Sequence, residues 1–220
     1  MEMIGNIEMI QIRREEAKDY QLVEDITRRA FYNLYVPGCA EHYLVHIMRS
    51  HPDFIPELDL VIELDGAVIG SVMYTKAWLR DGTGEEKEIL TFGPVSIDLP
   101  YQRKGYGKQL LEASFARAIA LGYDAIVIFG SPANYVGRGF VSCKKYGVRT
   151  EDGKYPAAML VKELRPGALS GGKWTYRDSP VMAISEEEAE KFDDSLAPMK
   201  KEWRPSQEEF YILSQACLSE

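Results

Sequence analysis

The sequence predicts a mixed α/β fold of the α+β kind: a mostly antiparallel sheet, splayed near its centre and flanked by helices. Three features lead there. Two apolar runs meet at Asp65-Gly66, a pair whose residues both tolerate positive φ, so they form a hairpin. The apolar run Ile89 to Ile97 enters a glycine-bearing loop, then a helical stripe, then the apolar run Ala125 to Phe129, which is the pattern of a βαβ unit. Within the first of these runs stands Gly93-Pro94. Proline removes a ladder donor and glycine tolerates a bend, so the strand is expected to bulge and part from its neighbour there.

Taken in order, Ile7 to Arg13 alternates apolar and polar residues and reads as a strand. Asp19 to Asn33 carries Leu22, Val23, Ile26, Ala30 and Phe31 at helical spacing, and Val36-Pro37-Gly38 ends it. Cys39 to Arg49 is a second helix, with Leu44, Ile47 and Met48 inward. Leu58 to Leu64 and Ala67 to Leu79 are the hairpin strands, and with Ile89 to Ile97 they form an antiparallel meander. The next helix shows Leu110, Leu111, Phe115, Ala118 and Ile119 on one stripe and closes at Leu121-Gly122, where glycine is the expected cap. Ala125 to Phe129 is wholly apolar, as in a strand buried on both faces and parallel to a neighbour. Pro132 to Val136 is a brief helix and Ala157 to Glu163 a late strand.

Composition shifts after Arg165-Pro166-Gly167. Residues 1–165 are read as the main domain. Residues 166–220 are read as an appendage, packed on that core or lying at an oligomer contact such as a homodimer. The appendage holds a small strand in Gly171 to Tyr176 and helices over Glu186 to Phe192 and Gln207 to Ala216. The run SEEEAE (Ser185 to Glu190) reads as a solvated helix start capped by Ser185, with guidance of a cationic substrate as the alternative, and Trp174, Tyr176 and Trp203 as aromatic anchors, with a pocket lining as the alternative.

The 220 residues are 45% hydrophobic and 11% aromatic, enough for a substantial core. A formal net charge of −8 argues against nucleic acid, whose phosphates need a basic surface. Cys39, Cys143 and Cys217 are odd in number and widely spaced, so they form neither a disulfide framework nor a metal knuckle. They read as reduced thiols in the cytoplasm, with no metal implied. The N-terminal MEMIGNIEMIQIRREE has acidic residues and no long apolar core, unlike a signal peptide, and no run is long enough to span a membrane.

The chemistry concentrates in Gln102-Arg103-Lys104-Gly105-Tyr106-Gly107-Lys108. Glycines between a strand and a helix let the backbone approach a ligand closely, and the first helical turn offers free N–H groups with the positive end of its dipole. This is an anion grip suited to a pyrophosphate. A P-loop would need GxxxxGK[ST], which is absent. A dinucleotide fold would need a third glycine where Leu110 stands, and an acidic end to the second strand, where Gly130 stands. Coenzyme A is the third reading.

PVSIDLPYQRKGYGKQLLE followed by AIVIFGSPANYVGRGF resembles the GNAT superfamily of N-acetyltransferases, and its bacterial YhbS-like branch most of all. That branch has a G-x-P-x-Y-Y-type run before a Gly-Phe pair, here Gly130 to Tyr135 and Gly139-Phe140. The order of elements over roughly three quarters of the chain matches as well. The resemblance implies a GNAT-type sheet and acetyl-CoA as co-substrate. Gln102, Arg103, Lys104, Gly105, Tyr106, Gly107 and Lys108 would hold the pyrophosphate. Val95, Ser96 and Ile97 would line the pantetheine arm, with the Val95 N–H polarising the acetyl carbonyl. Asn134 would contact pantetheine or cap its helix. Tyr135 would be the acid that protonates the leaving thiolate.

The chain departs from the pattern in two places. Histone-type members carry a glutamate about eleven residues before the glutamine of the loop, and here that position is Thr91. A water relay, a neutral incoming amine, or a base from Glu41, His42 or His46 are the alternatives. Pro100 also lies one place nearer to Gln102 than usual, which would shift the phosphate-facing amides by one residue. The implied activity is acetyl transfer to a primary amine of a small molecule or peptide by direct attack. An acetyl-CoA sensor without efficient catalysis is the second reading, and another nucleotide-phosphate binder the third.

Overall fold

The computed structural model describes residues 8–219. Ile7 and the rest of the N-terminal heptad lie outside the described residues. In chain order the elements are β1 (Ile10–Arg14), α1 (Tyr20–Phe31), α2 (Glu41–Met48), β2 (Leu60–Leu64), β3 (Ala67–Arg80), β4 (Glu86–Ile97) and α3 (Tyr106–Ala120). They continue with β5 (Ala125–Phe129), α4 (Pro132–Tyr135), β6 (Val141–Ser142), β7 (Val148–Arg149), β8 (Tyr155–Pro156) and β9 (Met159–Glu163). The chain closes with β10 (Trp174–Arg177), α5 (Glu186–Asp194), α6 (Pro205–Gln215) and β11 (Cys217–Leu218).

The main sheet follows the path β1-β2-β3-β4-β5-β9-β6, along which every pairing is antiparallel except that of β4 with β5. The expected hairpin is present: Leu64 faces Ala67, and both Asp65 and Gly66 have positive φ. The parallel contact of β4 with β5 is a single pair, Leu90 with Ile126, so the two strands touch and then diverge. The expected bulge is also present. Val72 faces Val95 and Tyr74 faces Phe92, which leaves Met73 opposite both Gly93 and Pro94.

Alternation along the strands makes two faces. One buries Tyr74, Leu90, Phe92, Ile126 and Ile128 against Leu110, Leu111 and Phe115 of α3. The other packs Val61 and Met73 on Val23 of α1 and Val45 and Met48 of α2. Farther along this second face, Leu79, Ile89, Val127 and Val161 gather with Tyr176.

Three expectations are corrected. Ile119 is 53% exposed, because at about 100° per residue it falls roughly a quarter turn off the stripe centred on Leu110, Leu111 and Phe115. Leu22 of α1 is likewise exposed. Phe129 is 52% exposed rather than buried on both faces, because β4 has already moved away at that level.

Among the later segments, β10 joins the main sheet. It extends beside the far half of β3, pairing Tyr176 with Leu79, and lies parallel to β7. α5 packs on α2, and Ser185 caps it by accepting the Glu188 N–H, as read from the sequence. Among the described residues no helix is long and apolar enough to cross a membrane.

Candidate active site

The glycine-bearing loop is held from behind. Asp98 follows β4 and accepts the Leu99 N–H, while Arg29 of α1 grips the same carboxylate with Nε at 3.1 Å and Nη2 at 2.9 Å. The Gln102 side chain is also structural, since its Nε2 donates to the Ile97 carbonyl at 2.9 Å. Arg103 and Gly105 then take left-handed conformations, at φ 62° and 91°, which swings the chain into α3. The Gln109 N–H donates to Gly105 O and closes the first turn. The amides of Tyr106, Gly107 and Lys108 are left unpaired by helix geometry. Among the described residues, those of Arg103, Lys104 and Gly105 donate to no protein acceptor. A row of six N–H groups therefore stands at the positive end of a fifteen-residue helix.

The side chains of the loop divide the work. Lys104 and Lys108 are exposed and add positive charge. Tyr106 is buried in the core, and its hydroxyl donates to Glu8, so it serves the grip with its backbone alone. Gly107 lies against Ile97, where an added Cβ would stand 3.5 Å from the side chain. This contact sets the helix start next to the end of β4.

Beyond the bulge, β4 has a partner on one edge only among the described residues. Val95 and Ile97 pack on the α3 face, half-buried. Ser96 points the other way, with Oγ 3.0 Å from Thr27 Oγ1 and 3.1 Å from Ser71 Oγ. Ser96 thus offers its backbone, not its hydroxyl, to anything in the splay. The open edge of Gly93 to Ile97 can pair with an extended ligand as a further strand would.

Tyr135 stands across the splay on α4. Its ring lies 5.8 Å from that of Phe92 and 5.7 Å from that of Phe140. Gly130 is what makes room: a Cβ there would meet the Tyr135 ring at 2.6 Å. Burial pushes the phenol up to about 12, so it keeps its proton at neutral pH. Asn134 is exposed, and its carbonyl accepts from Arg138. The Gly139-Phe140 pair closes the segment, with Gly139 at φ 83° and Phe140 fully buried.

The candidate bases fall into three groups. Thr91 is buried opposite Thr75 and has no ionisable group. His42 is buried against Cys39, with Nε2 3.2 Å from Asp193, and His46 lies beside Glu24. Both belong to the packing of α2 on α1 and α5. Glu41 is half-buried, and burial raises its pKa. Sequence reasoning passed over Asp178. It follows β10 by one residue and lies half-buried on the same face as Thr91; no local pattern marks it, since only the pairing of β10 with β3 brings it there. Of the three aromatic anchors, Tyr176 is buried and Trp174 donates to Leu169 O, whereas Trp203 is 67% exposed.

A cavity of about 380 Å³ opens beside the loop, between Arg29, Leu99 and Gln102 on one side and Met199, Lys200 and Arg204 on the other. Among the described residues no cluster of His, Cys, Asp and Glu has the proximity to hold a metal.

Comparison with known proteins adds four findings. The model of the acetyltransferase (GNAT) family matches residues 23–143. An uncharacterized N-acetyltransferase, YhbS, of Escherichia coli strain K12 is 30% identical over 161 residues, which are 73% of this chain and 90% of that protein. The crystal structure of the Escherichia coli GNAT-family N-acetyltransferase YhbS in complex with CoA superposes with a TM-score of 0.69 at 27% identity, covering 80% of this chain and 92% of that one. A GNAT-family acetyltransferase from Brucella melitensis, in complex with acetyl-CoA, shares the fold at a TM-score of 0.62 and 22% identity, over 79% of this chain and 98% of that one.

Proposed function

This chain belongs to the acetyltransferase (GNAT) family, and on that premise we propose that it transfers the acetyl group of acetyl-CoA to a primary amine by direct attack. The observation that carries the proposal is the row of free amides from Arg103 to Lys108, beside an unpaired β4 edge that leads to a half-buried tyrosine. The amides fit a pyrophosphate and the edge fits the amide-bearing pantetheine arm. Gly105, in a conformation that disfavours a Cβ, fits a loop pressed close to phosphate. The CoA-bound Escherichia coli relative supports the same ligand here.

Each group then has a task. The loop and β4 hold the thioester in place, and positioning supplies much of the rate. A backbone N–H at the bulge, that of Val95, polarises the acetyl carbonyl. The amine nitrogen bonds to the carbonyl carbon as the carbon–sulfur bond breaks. Tyr135 gives its proton to the departing sulfur. The test is release of free thiol from acetyl-CoA by the purified protein across a panel of primary amines, with mass spectrometry showing a gain of one acetyl group on the amine. A second reading, an acetyl-CoA sensor, draws on the threonine at position 91; binding of coenzyme A with no thiol release from any amine would favour it.

A further inference from the structure

A protonated amine cannot attack a thioester, and the strand position where histone-type members carry a glutamate holds Thr91. On the same face of the sheet the structure supplies a polar chamber. Thr75 stands directly opposite Thr91, and its hydroxyl is buried with no hydrogen-bond partner among the described residues. The Tyr176 hydroxyl is also buried without a partner of good geometry, although Thr91 and Asp178 both lie beside it. Two orphaned hydroxyls around one buried threonine are costly unless a polar guest meets them.

The chamber opens where catalysis would occur. The Tyr176 ring is 6.0 Å from that of Phe129, the residue exposed where β4 and β5 part. The chain then crosses the bulge, since the Met182 methyl lies 3.8 Å from where a Gly93 Cβ would be. Asp178 falls between these two contacts. It is aimed by the Ser179 N–H, which donates to Oδ1 at 2.9 Å, and Ser179 is itself pinned by donating to Asp53 Oδ2 at 2.8 Å. This carboxylate therefore sits on rigid supports at the amine side of the splay, across the sheet from Tyr135.

We propose that Asp178 is a catalytic base of this enzyme, taking the proton from the substrate ammonium before the amine attacks the thioester. The proposal rests on the acetyl-transfer reading and adds the residue that reading lacks. Protons balance. The ammonium loses one to Asp178, which releases it to solvent; the second, lost from nitrogen as the amide forms, replaces the proton that Tyr135 gives to the sulfur. Burial lifts the Asp178 carboxyl to about 6, which makes it a stronger base than an ordinary aspartate yet leaves it mostly ionised at pH 7. The titratable groups near it are few. Tyr176 is its partner on the same stretch, Asp53 and His51 are reached through Ser179, and β4 faces it with uncharged Thr91.

The test uses the full chain with an amine that is active in the thiol-release panel. Wild-type kcat/KM should fall on the acid side of about pH 6. Asp178→Asn should lower kcat/KM at pH 7 by about a hundredfold or more. Its rate should instead climb with pH toward the pKa of the free amine, while coenzyme A affinity by calorimetry stays within about twofold. Asp178→Glu keeps a carboxylate and should restore an acid limb; it carries the test should the Asn variant fail to fold. An Asn variant with wild-type rate and an unchanged acid limb overturns the proposal while acetyl transfer stands. An unaltered protein that releases no thiol with any amine overturns the acetyl-transfer reading, and this proposal with it.

Discussion

Tyr135 and Gly130 act as one unit. The ring occupies the space that any side chain at position 130 would take, at 2.6 Å from the would-be Cβ. Tyr135→Phe keeps the ring and removes the proton, so kcat should fall by about 10²- to 10⁴-fold while coenzyme A affinity by calorimetry holds within about twofold. Gly130→Ala keeps the phenol and displaces it. A shift of about 1 Å is expected to cost on the order of a hundredfold in kcat, again with coenzyme A binding retained. The spacing of Gly130, Tyr135 and Gly139-Phe140 was legible through its resemblance to the GNAT pattern, and Gly139 at φ 83° and the room left by Gly130 give it a local backbone and packing reason. Asp178 was not legible, because a lone aspartate after a short strand has no local pattern to distinguish it.

The end of β4 is the element on which the proposed coenzyme A site depends, and β3 supports it through a missing side chain. A Cβ on Gly70 would meet the Ser96 carbonyl oxygen, and the Ile97 side chain at 2.5 Å. Gly70→Ala should push the strand end away from its neighbour. Overpacking of this kind costs about 1–3 kcal/mol, and the loss should appear as a lower Tm together with weaker coenzyme A binding. A merely local loss of stability would leave the binding intact. The hairpin at Asp65-Gly66, the bulge at Gly93-Pro94 and the helix ending at Gly122 were all legible, since each rests on the conformational range of a few adjacent residues. β6, β7, β8 and β11, each of two residues, were not, because nothing shorter than a period can show periodicity.

At the scale of the molecule, the last fifth of the chain is tied to α1 and α2. Arg28 of α1, nearly buried, donates from Nε to Asp193 at 2.7 Å and from Nη1 to the Ala197 carbonyl. Tyr32 donates to the Met199 carbonyl, and His42 approaches Asp193. Asp193→Ala would leave the Arg28 charge buried and uncompensated, a loss of about 3–5 kcal/mol readable by denaturant titration. The same junction sets an acid limit. Burial lowers the His42 pKa, so the folded state resists a proton that the unfolded chain accepts below about 6.5. This contribution is intact above that pH and declines as pH falls toward the lowered value. Tm should therefore drop between pH 7 and pH 5, and the slope should be smaller in His42→Gln.

The order of elements, the glycine-bearing loop at the start of α3 and the bulge in β4 were legible in the sequence itself, and the tyrosine across from the bulge through its resemblance to the GNAT pattern. Each depends on residues close together in the chain, where backbone freedom, helix geometry and apolar period act directly. Only the tertiary structure decided which side of the splay carries a carboxylate, and that the polar face at Thr91 is completed by Tyr176 and Asp178. Those residues stand more than eighty positions from Thr91 along the chain. They reach it because β10 pairs with the far half of β3, a choice made by the burial of Tyr176 among Leu79, Ile89 and Val127 rather than by any local preference.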